Sequence, residues 1–184
     1  MLTNGGKHFM AMRLNYNAKT SNQNEIPGMT DFSGFQYNRS YSSSWRIEAL
    51  MKVQCSAITY GASTMSGFGF GTGNTAPTAE DSTLSGNFIP PANYACSASV
   101  KTLQNTHECL EVEAVYTITN TSAEAITIGE VFLADWMGGK VNSNGSQRYC
   151  PVMLDRARLE SPVTIEPGDV GIVTYTVRMN YSTT

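Results

Sequence analysis

The sequence predicts an all-β fold: an antiparallel β-sandwich, jelly-roll or immunoglobulin-like, with an extended N-terminal arm. Three observations support this. Asn, Ser, Thr and Gly are abundant while only 15% of residues are charged, which favours strands joined by turns over long surface helices. Apolar and polar residues alternate along several segments, and Gly, Pro and Asn corners separate those segments. The 184 residues are enough for one domain with a single core.

The clearest strand is CLEVEAVYTIT, residues 109–119. Its even positions are all apolar, and its odd positions from Glu111 to Thr119 are polar apart from Val115, as expected of a half-buried strand. The next segment, ITIGEVFLADW (residues 126–136), is apolar on both faces and predicts a strand covered on both sides. The polar residues 120–125 between them predict that the two strands form a hairpin.

The tail of the chain predicts a further strand. From Val173 to Tyr181 apolar residues occupy every second position, after a Pro167-Gly168 corner that reverses the chain. Two other segments are less clear. IEALMKVQ, from Ile47, alternates like a strand but also fits a helical face, and LDRARLE, residues 154–160, leaves a short helix open.

Residues 1–45 differ from residues 46–184, which we take as the sandwich domain. The first segment has no period of 2 or 3.6, yet it places aromatic residues among Asn, Ser and Gly. Such a segment builds no core alone, but its aromatics can anchor it on another subunit. We therefore expect an arm that orders on assembly, with a loop-rich first part of the same domain as the alternative.

Composition argues against several classes of partner. The formal charge is −3 and the 12 Lys and Arg residues are scattered, so no basic surface for nucleic acid is expected. No apolar run is long enough to span a bilayer, and the N-terminus has no apolar signal region, so we expect no membrane association and a chain that starts out cytosolic.

Four cysteines, Cys55, Cys96, Cys109 and Cys150, include no C-x-x-C pair, which argues against a structural zinc site. We interpret them as reduced, small apolar residues. A disulfide from Cys96 to Cys109 across a hairpin is the alternative, and it would need an oxidising compartment.

The segment GFGFGTGNTAPTAEDSTLSG, residues 67–86, is rich in glycine but does not predict a phosphate-binding loop. No G-K-[ST] follows the glycines, and no βαβ unit surrounds them. Glycines instead alternate with Phe68 and Phe70. This pattern predicts a strand whose glycine face lets another backbone or an aromatic ring come close, followed by a loop.

No set of residues predicts catalysis or the binding of a metal, cofactor or small-molecule substrate. His8 lies in the expected arm, and His107 with Cys109 has no further ligand to complete a metal site. The pair Glu111 and Glu113 predicts a solvated strand face rather than glycosidase chemistry. Glu80-Asp81 predicts loop solvation, with a calcium contact as the weaker alternative.

GTGNTAPTAEDSTLSG resembles the pattern G-T-G-t-t-x-P-t-x-x-D-x-x-L of structural proteins of tailed bacteriophages. Downstream, ITIGEVFLAD is similar to their I-t-I-x-E-v-g-L, and RARLESPVTIEPGDVGIVTYTVR is similar to their R-x-x-l-x-x-P-v-t-I-x-P-G-x-x-x-x-v-T-Y-t-I-r. The resemblance covers roughly residues 65–181, and Phe132 stands where a glycine is common. It implies a virion component without known catalytic residues.

The resemblance implies a non-enzymatic building block that assembles in symmetric copies in the host cytoplasm and resides in the virion. Neck, tail and capsid decoration are the expected locations, and the partners are copies of the chain and other virion proteins. Aromatic residues are candidate subunit contacts: Phe32, Phe35, Tyr37, Tyr41, Trp45, Phe68, Phe70 and Trp136. For Phe68, Phe70 and Trp136, a place in the core is the alternative.

Two alternatives to scaffolding remain. A receptor- or carbohydrate-binding module of a phage fibre would use residues 71–93 and the loop GGKVNSNGSQRY for recognition. A cell-wall hydrolase is the third reading.

Overall fold

The computed structural model describes residues 29–30, 36–37, 47–56, 58, 66–105, 109–140 and 147–180. Within them the chain is almost entirely β-structure, with one helical turn, α1, at Ile47–Leu50 and a short 3-10 turn at Pro91–Asn93. The strands are β1 (Met29–Thr30), β2 (Gln36–Tyr37), β3 (Gly67–Gly71), β4 (Tyr94–Asn105), β5 (Cys109–Asn120), β6 (Ile126–Lys140), β7 (Gln147–Ile165) and β8 (Val170–Asn180).

Two antiparallel three-stranded sheets make up the body of the fold. One has the order β3-β6-β7 and the other β4-β5-β8, and β1 and β2 form a separate pair. The larger of two apolar clusters takes buried side chains from both sheets, so the sheets pack face to face as a β-sandwich. The prediction of an all-β fold with antiparallel sheets is confirmed.

The alternating patterns read from the sequence match the burial of β5 and β8. The even residues from Val112 to Ile118 are buried, and so are Val173, Tyr175 and Val177, whereas their neighbours on the other face are exposed or half-buried. β6 is buried without interruption from Ile128 to Asp135. The prediction that this strand is covered on both sides is confirmed.

The predicted hairpin between residues 109–119 and 126–136 is wrong. β5 pairs with β4 and β8, while β6 pairs with β3 and β7, so the turn at 121–125 carries the chain from one sheet to the other. A polar turn reverses the chain without specifying which sheet the next strand joins.

The chain also reverses at Pro167-Gly168, as predicted, where Gly168 has φ +83° and Asp169 N–H donates to the Glu166 carbonyl.

The structure decides two segments that the sequence left open. Ile47–Leu50 is a helical turn, as its helical face allowed, followed by a bend, and Leu50 and Met51 lie in the core. The segment 154–160 is part of β7 rather than a short helix. There the backbone pairs with β6, which outweighs the helix propensity of its Leu and Arg residues.

The glycine face of β3 meets the prediction made for it. A Cβ on Gly69 would lie 2.4 Å from the ring of Phe132, and one on Gly71 would lie 2.7 Å from a carboxylate oxygen of Glu130. Both neighbours are on β6, directly opposite these glycines in the register. β3 therefore has glycine at the positions where side chains of β6 pack directly against its backbone.

One end of the sandwich, which we call the turn end, carries the turns 121–125 and 166–169. Asn120 holds these turns together: its side-chain amide donates to the carbonyls of Glu124 and Ile165, each at 2.8 Å. Its backbone N–H donates to Asp169 O and its carbonyl accepts from Gly168 N–H. The opposite end, where β4 and β6 finish and β5 and β7 begin, is called the hairpin end.

The register excludes the Cys96–Cys109 disulfide. Cys96 pairs with Ile118, nine residues along β5 from Cys109, so the two cysteines lie about 30 Å apart at about 3.3 Å per residue. Cys55, Cys96 and Cys109 are not in disulfides, and Cys150 lies where side chains are not described.

Gly69→Ala should destabilise the protein by about 1–3 kcal/mol, because the added methyl group overlaps the buried ring of Phe132. Shortening that ring with Phe132→Leu in the same chain should recover part of the loss. Urea denaturation of both single variants and the double variant measures this coupling. Ser97→Ala, on the exposed face of β4, is the control, and additive effects of Gly69→Ala and Phe132→Leu would contradict the contact.

Candidate functional site

A loop, residues 72–88, lies over the outer face of the β3-β6-β7 sheet and covers a buried carboxylate. Glu130 on β6 has no exposed surface. Its Oε1 accepts the backbone N–H groups of Gly73 (3.1 Å) and Gly86 (2.9 Å). Its Oε2 accepts both the N–H and the hydroxyl of Ser85, each at 3.1 Å. One carboxylate thus joins the two ends of the loop.

Arg156 on β7 is the counter-ion, and its residue is only 2% exposed. Its Nη1 donates to Glu130 Oε2 at 2.7 Å and to the carbonyl of Thr75. Its Nη2 donates to Asp81 Oδ2 at 2.6 Å and to the carbonyl of Ala76, and its Nε donates to the same Asp81 oxygen at 2.8 Å. All five N–H donors of the guanidinium are engaged.

Asp81 completes the cluster from the loop side. It accepts the Thr78 backbone N–H at 2.8 Å and the Thr78 hydroxyl at 2.9 Å in addition to Arg156. Burial tends to raise the pKa of Asp81, but the hydrogen bonds from Thr78 and Arg156 outweigh it and hold the pKa below the ordinary value of 3.8. Burial tends to lower the pKa of Arg156, but its hydrogen bonds to Asp81 and Glu130, together with their charges, outweigh this effect and raise the pKa.

The geometry favours a structural role for this cluster. Glu130 accepts five hydrogen bonds and Arg156 donates five, all to groups of the protein itself. A catalytic carboxylate or an anion-binding arginine must keep a contact for its substrate. Here the charged groups instead fix the path of the loop. Any other path would leave buried charges unpaired, which is far more costly than keeping them paired.

Two further carboxylates are buried in the β3-β6-β7 sheet. Asp135 accepts the hydroxyl of Ser66 at 2.5 Å. Asp155 accepts the hydroxyl of Tyr175, and burial raises the pKa of Asp155 above its ordinary value. Burial also raises the pKa of Tyr175. The Tyr175 bond links the two sheets through the core, because β7 and β8 belong to different sheets.

Phe68 and Phe70 are core residues, which corrects their assignment as subunit contacts. They are 2% and 0% exposed. Phe68 stacks on Tyr116 with ring centroids 4.1 Å apart, and Phe70 meets Tyr94 and Tyr116 edge-on. With their rings enclosed between the sheets, they have no surface for a neighbouring subunit.

The other candidate contacts are only partly placed. Tyr37 is in β2 and Trp136 is in β6, at positions whose side chains are not described. The remaining four lie outside the described residues: Phe32, Phe35, Tyr41 and Trp45. His8 and His107 also lie outside them, and so does most of the expected arm.

The acidic pairs considered from the sequence lie in different surroundings in the structure. Glu111 and Glu113 lie on the outer face of β5, where they form salt bridges with Arg178 (3.7 Å) and Lys101 (3.3 Å). Asp81, expected to be a solvated loop residue or a calcium contact, is instead bound to Arg156. Among the described residues, no group of three or more His, Cys, Asp or Glu side chains is arranged to hold a metal ion.

Glu130 and Arg156 were not singled out from the sequence, although a signal was present. Glu130 stands in a strand that is otherwise apolar around it, and a charge in a fully covered strand must have a buried partner. The phage-like patterns also contain the three charged residues: Asp81 in the first pattern, Glu130 in the second and Arg156 in the third. The structure brings these three positions into one cluster.

No protein-family model matches the chain, and no curated protein matches it. Among solved structures, the X-ray structure of Northeast Structural Genomics Consortium target SoR45 is similar with a TM-score of 0.31 and 14% identity, over 47% of this chain and 62% of that one. The match thus spans less than two thirds of that protein. In the part of the chain that the structure describes, no helix is long and apolar enough to cross a membrane.

Arg156→Met should lower the free energy of unfolding by about 3–5 kcal/mol, because it leaves the Glu130 carboxylate buried without a counter-ion. Adding Glu130→Gln removes that orphaned charge, so the double variant should lose less than the sum of the single losses. Urea denaturation measures all three. Arg158→Met, at an exposed arginine two residues along β7, is the matched control and should change stability by less than about 0.5 kcal/mol. Equal losses for Arg156→Met and Arg158→Met would refute the buried network.

Asp81 should make the protein sensitive to acid. Because its pKa is lower in the folded state than in the unfolded chain, its contribution is present above the ordinary value of 3.8 and is lost as the pH falls through the lower, folded-state pKa. The stability difference between wild type and Asp81→Asn should therefore be largest near neutral pH and narrow below pH 3.8. Urea titrations at a series of pH values test this, and a difference that grows in acid would contradict it.

Proposed function

We propose that the chain is a non-enzymatic structural subunit of a tailed bacteriophage virion. It assembles in several symmetric copies in the host cytoplasm, at the neck or tail or as a capsid decoration protein. Its partners are copies of itself and other virion proteins. The chemistry of the subunit is that of packing and docking, and no substrate or cofactor takes part.

The convergence of Asp81, Glu130 and Arg156 carries this proposal. These residues come from three separate patterns that resemble phage structural proteins, and they form one cluster that pins the loop 72–88 to the sheet. The three patterns therefore share one structural function, which is to fix the shape of the loop 72–88. Two of the buried charged residues, Glu130 and Arg156, serve that shape.

We further propose that the sandwich is of the immunoglobulin-like type. The order β4-β5-β8, with β6 and β7 paired in the opposite sheet, corresponds to strands A-B-E facing C-C′ in such folds. β3 then occupies the place beside C that strand F takes. The arm proposed for residues 1–45 would add contacts between copies, supplied by the aromatic residues of that segment.

The test is to locate the protein in purified virions. Quantitative mass spectrometry of the particles should find it in multiple stoichiometric copies, and an electron-microscopy map should show its density at the neck, tail or capsid surface. Full-length Arg158→Met should enter particles normally, whereas Arg156→Met should enter at least tenfold less, because its loop is no longer held. Absence of the chain from particles, together with glycan binding or release of peptidoglycan by the purified protein, would overturn the proposal.

A further inference from the structure

β8 is an edge strand, and its backbone groups divide between two sides. Asn120 N–H donates to the Asp169 carbonyl at 3.0 Å where the β5–β8 ladder begins. Because hydrogen-bonded pairs alternate along an antiparallel ladder, the odd residues from Gly171 to Val177 bond β5. Among the described strands, none pairs with the second edge of β8. The even residues direct their N–H and C=O groups to that edge: Val170, Ile172, Thr174 and Thr176.

The side chains beside this edge are β-branched and exposed. Val170 is 59% exposed and Ile172 is 65% exposed, and Thr174 and Thr176 continue the row on the outer face of the sheet. From Val170 to Val177 the strand has no proline, no charged residue and no register shift. A long, regular and uncharged edge with apolar side chains is the kind of edge that takes up a further strand.

The other edges of the two sheets carry features that oppose such pairing. β4 has the exposed Lys101, followed at once by a register shift. β7 contains Pro151 and Pro162, which cannot donate to a ladder. β3 is already met along its second edge by single bridges from Gln54 and Phe88. Lysine, proline, irregular register and covering segments all protect an edge from pairing, and β8 has none of them between Val170 and Val177.

We propose that two copies of the chain pair edge to edge through β8, in antiparallel orientation about a two-fold axis near Thr174. The outward N–H and C=O groups of the even residues then bond their counterparts in the second copy. Two three-stranded sheets become one six-stranded sheet, which is a common sheet size. Both copies contribute the same surface, so the contact is isologous and closes as a dimer. The inference rests on the proposed function, since it names a surface through which the copies meet.

The distribution of charge favours a second copy as the occupant of this edge. Two uncharged stretches face each other, so no like charges stand opposite, whereas a charged peptide would find no counter-charge from Val170 to Val177. The exposed carboxylates of Glu166 and Asp169 lie at opposite limits of the paired stretch. Asp169 is five residues from Thr174, so the two copies of Asp169 are about 34 Å apart at about 3.4 Å per residue. Parallel pairing would instead place these carboxylates side by side.

Sedimentation velocity of the full-length protein tests the contact. The wild type should pass from monomer to dimer as its concentration rises, and salt should change this little, because hydrogen bonds and apolar side chains form the contact. Ile172→Lys should dimerise at least about tenfold more weakly, since a lysine at this position protects the edge. Ser97→Lys is the matched control: it adds the same charge to the outer face of the same sheet, on β4, and should dimerise like the wild type. Melting temperatures establish that both variants are folded.

Amide hydrogen exchange of the wild type gives a second measurement that depends on no variant. The N–H groups of Ile172, Thr174 and Thr176 should exchange at least about tenfold more slowly in the dimer than at high dilution, because only the second copy bonds them. The N–H groups of Val173 and Tyr175 bond β5 and should be protected at both concentrations. Protection that switches on at every second residue is the signature of a strand added to this edge.

A wild type that stays monomeric at every concentration, or a dimer that Ile172→Lys leaves intact, would overturn the β8 contact while leaving the virion role to the particle experiment. An equal loss of association in Ser97→Lys would overturn it in favour of the β4 edge. Growth beyond the dimer without limit would overturn the two-fold arrangement. Protection of the even amides at high dilution would also overturn it, because a segment of the same copy would then cover the edge.

Discussion

The buried ion pair of Glu130 and Arg156 constrains the rest of this structure. A carboxylate with no exposed surface is tolerated only if its lone pairs are occupied, and here five donors from the loop and from β7 occupy them. The loop must therefore close before the charge can be buried stably. The loop, β6 and β7 are consequently joined by one hydrogen-bond network, in which loss of one member leaves its partners unsatisfied.

The same constraint explains the glycines around the cluster. A backbone N–H can donate to Glu130 only if the chain comes very near the carboxylate, and there is no room for a side chain at that distance. A Cβ on Gly73 would lie 2.5 Å from Glu130 Oε1, and one on Gly129 would lie 2.3 Å from the carbonyl of Gly73. The glycines that first suggest a phosphate loop thus bring N–H groups to an anion, but the anion belongs to the protein.

The sequence predicts those parts of the fold that depend on local periodicity. β5 and β8 follow from alternation because each has one face in the core and one in solvent. Strand partners do not follow, since nothing within 120–125 tells β6 to join the sheet of β3 and β7. The role of Arg156 could not be derived either, because its partner Asp81 is 75 residues away and their meeting depends on the completed sandwich.

Charge in this molecule has two separate roles, decided by burial. Inside, Asp81, Glu130 and Arg156 are held by fixed hydrogen bonds and set the shape of a loop. Outside, the remaining charges are screened by solvent, so individual pairs such as Lys101–Glu113 add little to stability. Exposed charges act mainly on approaching molecules, because they orient an encounter more than they hold the fold. In the proposed assembly, a rigid interior lets every copy present the same surface, so weak contacts between copies add up.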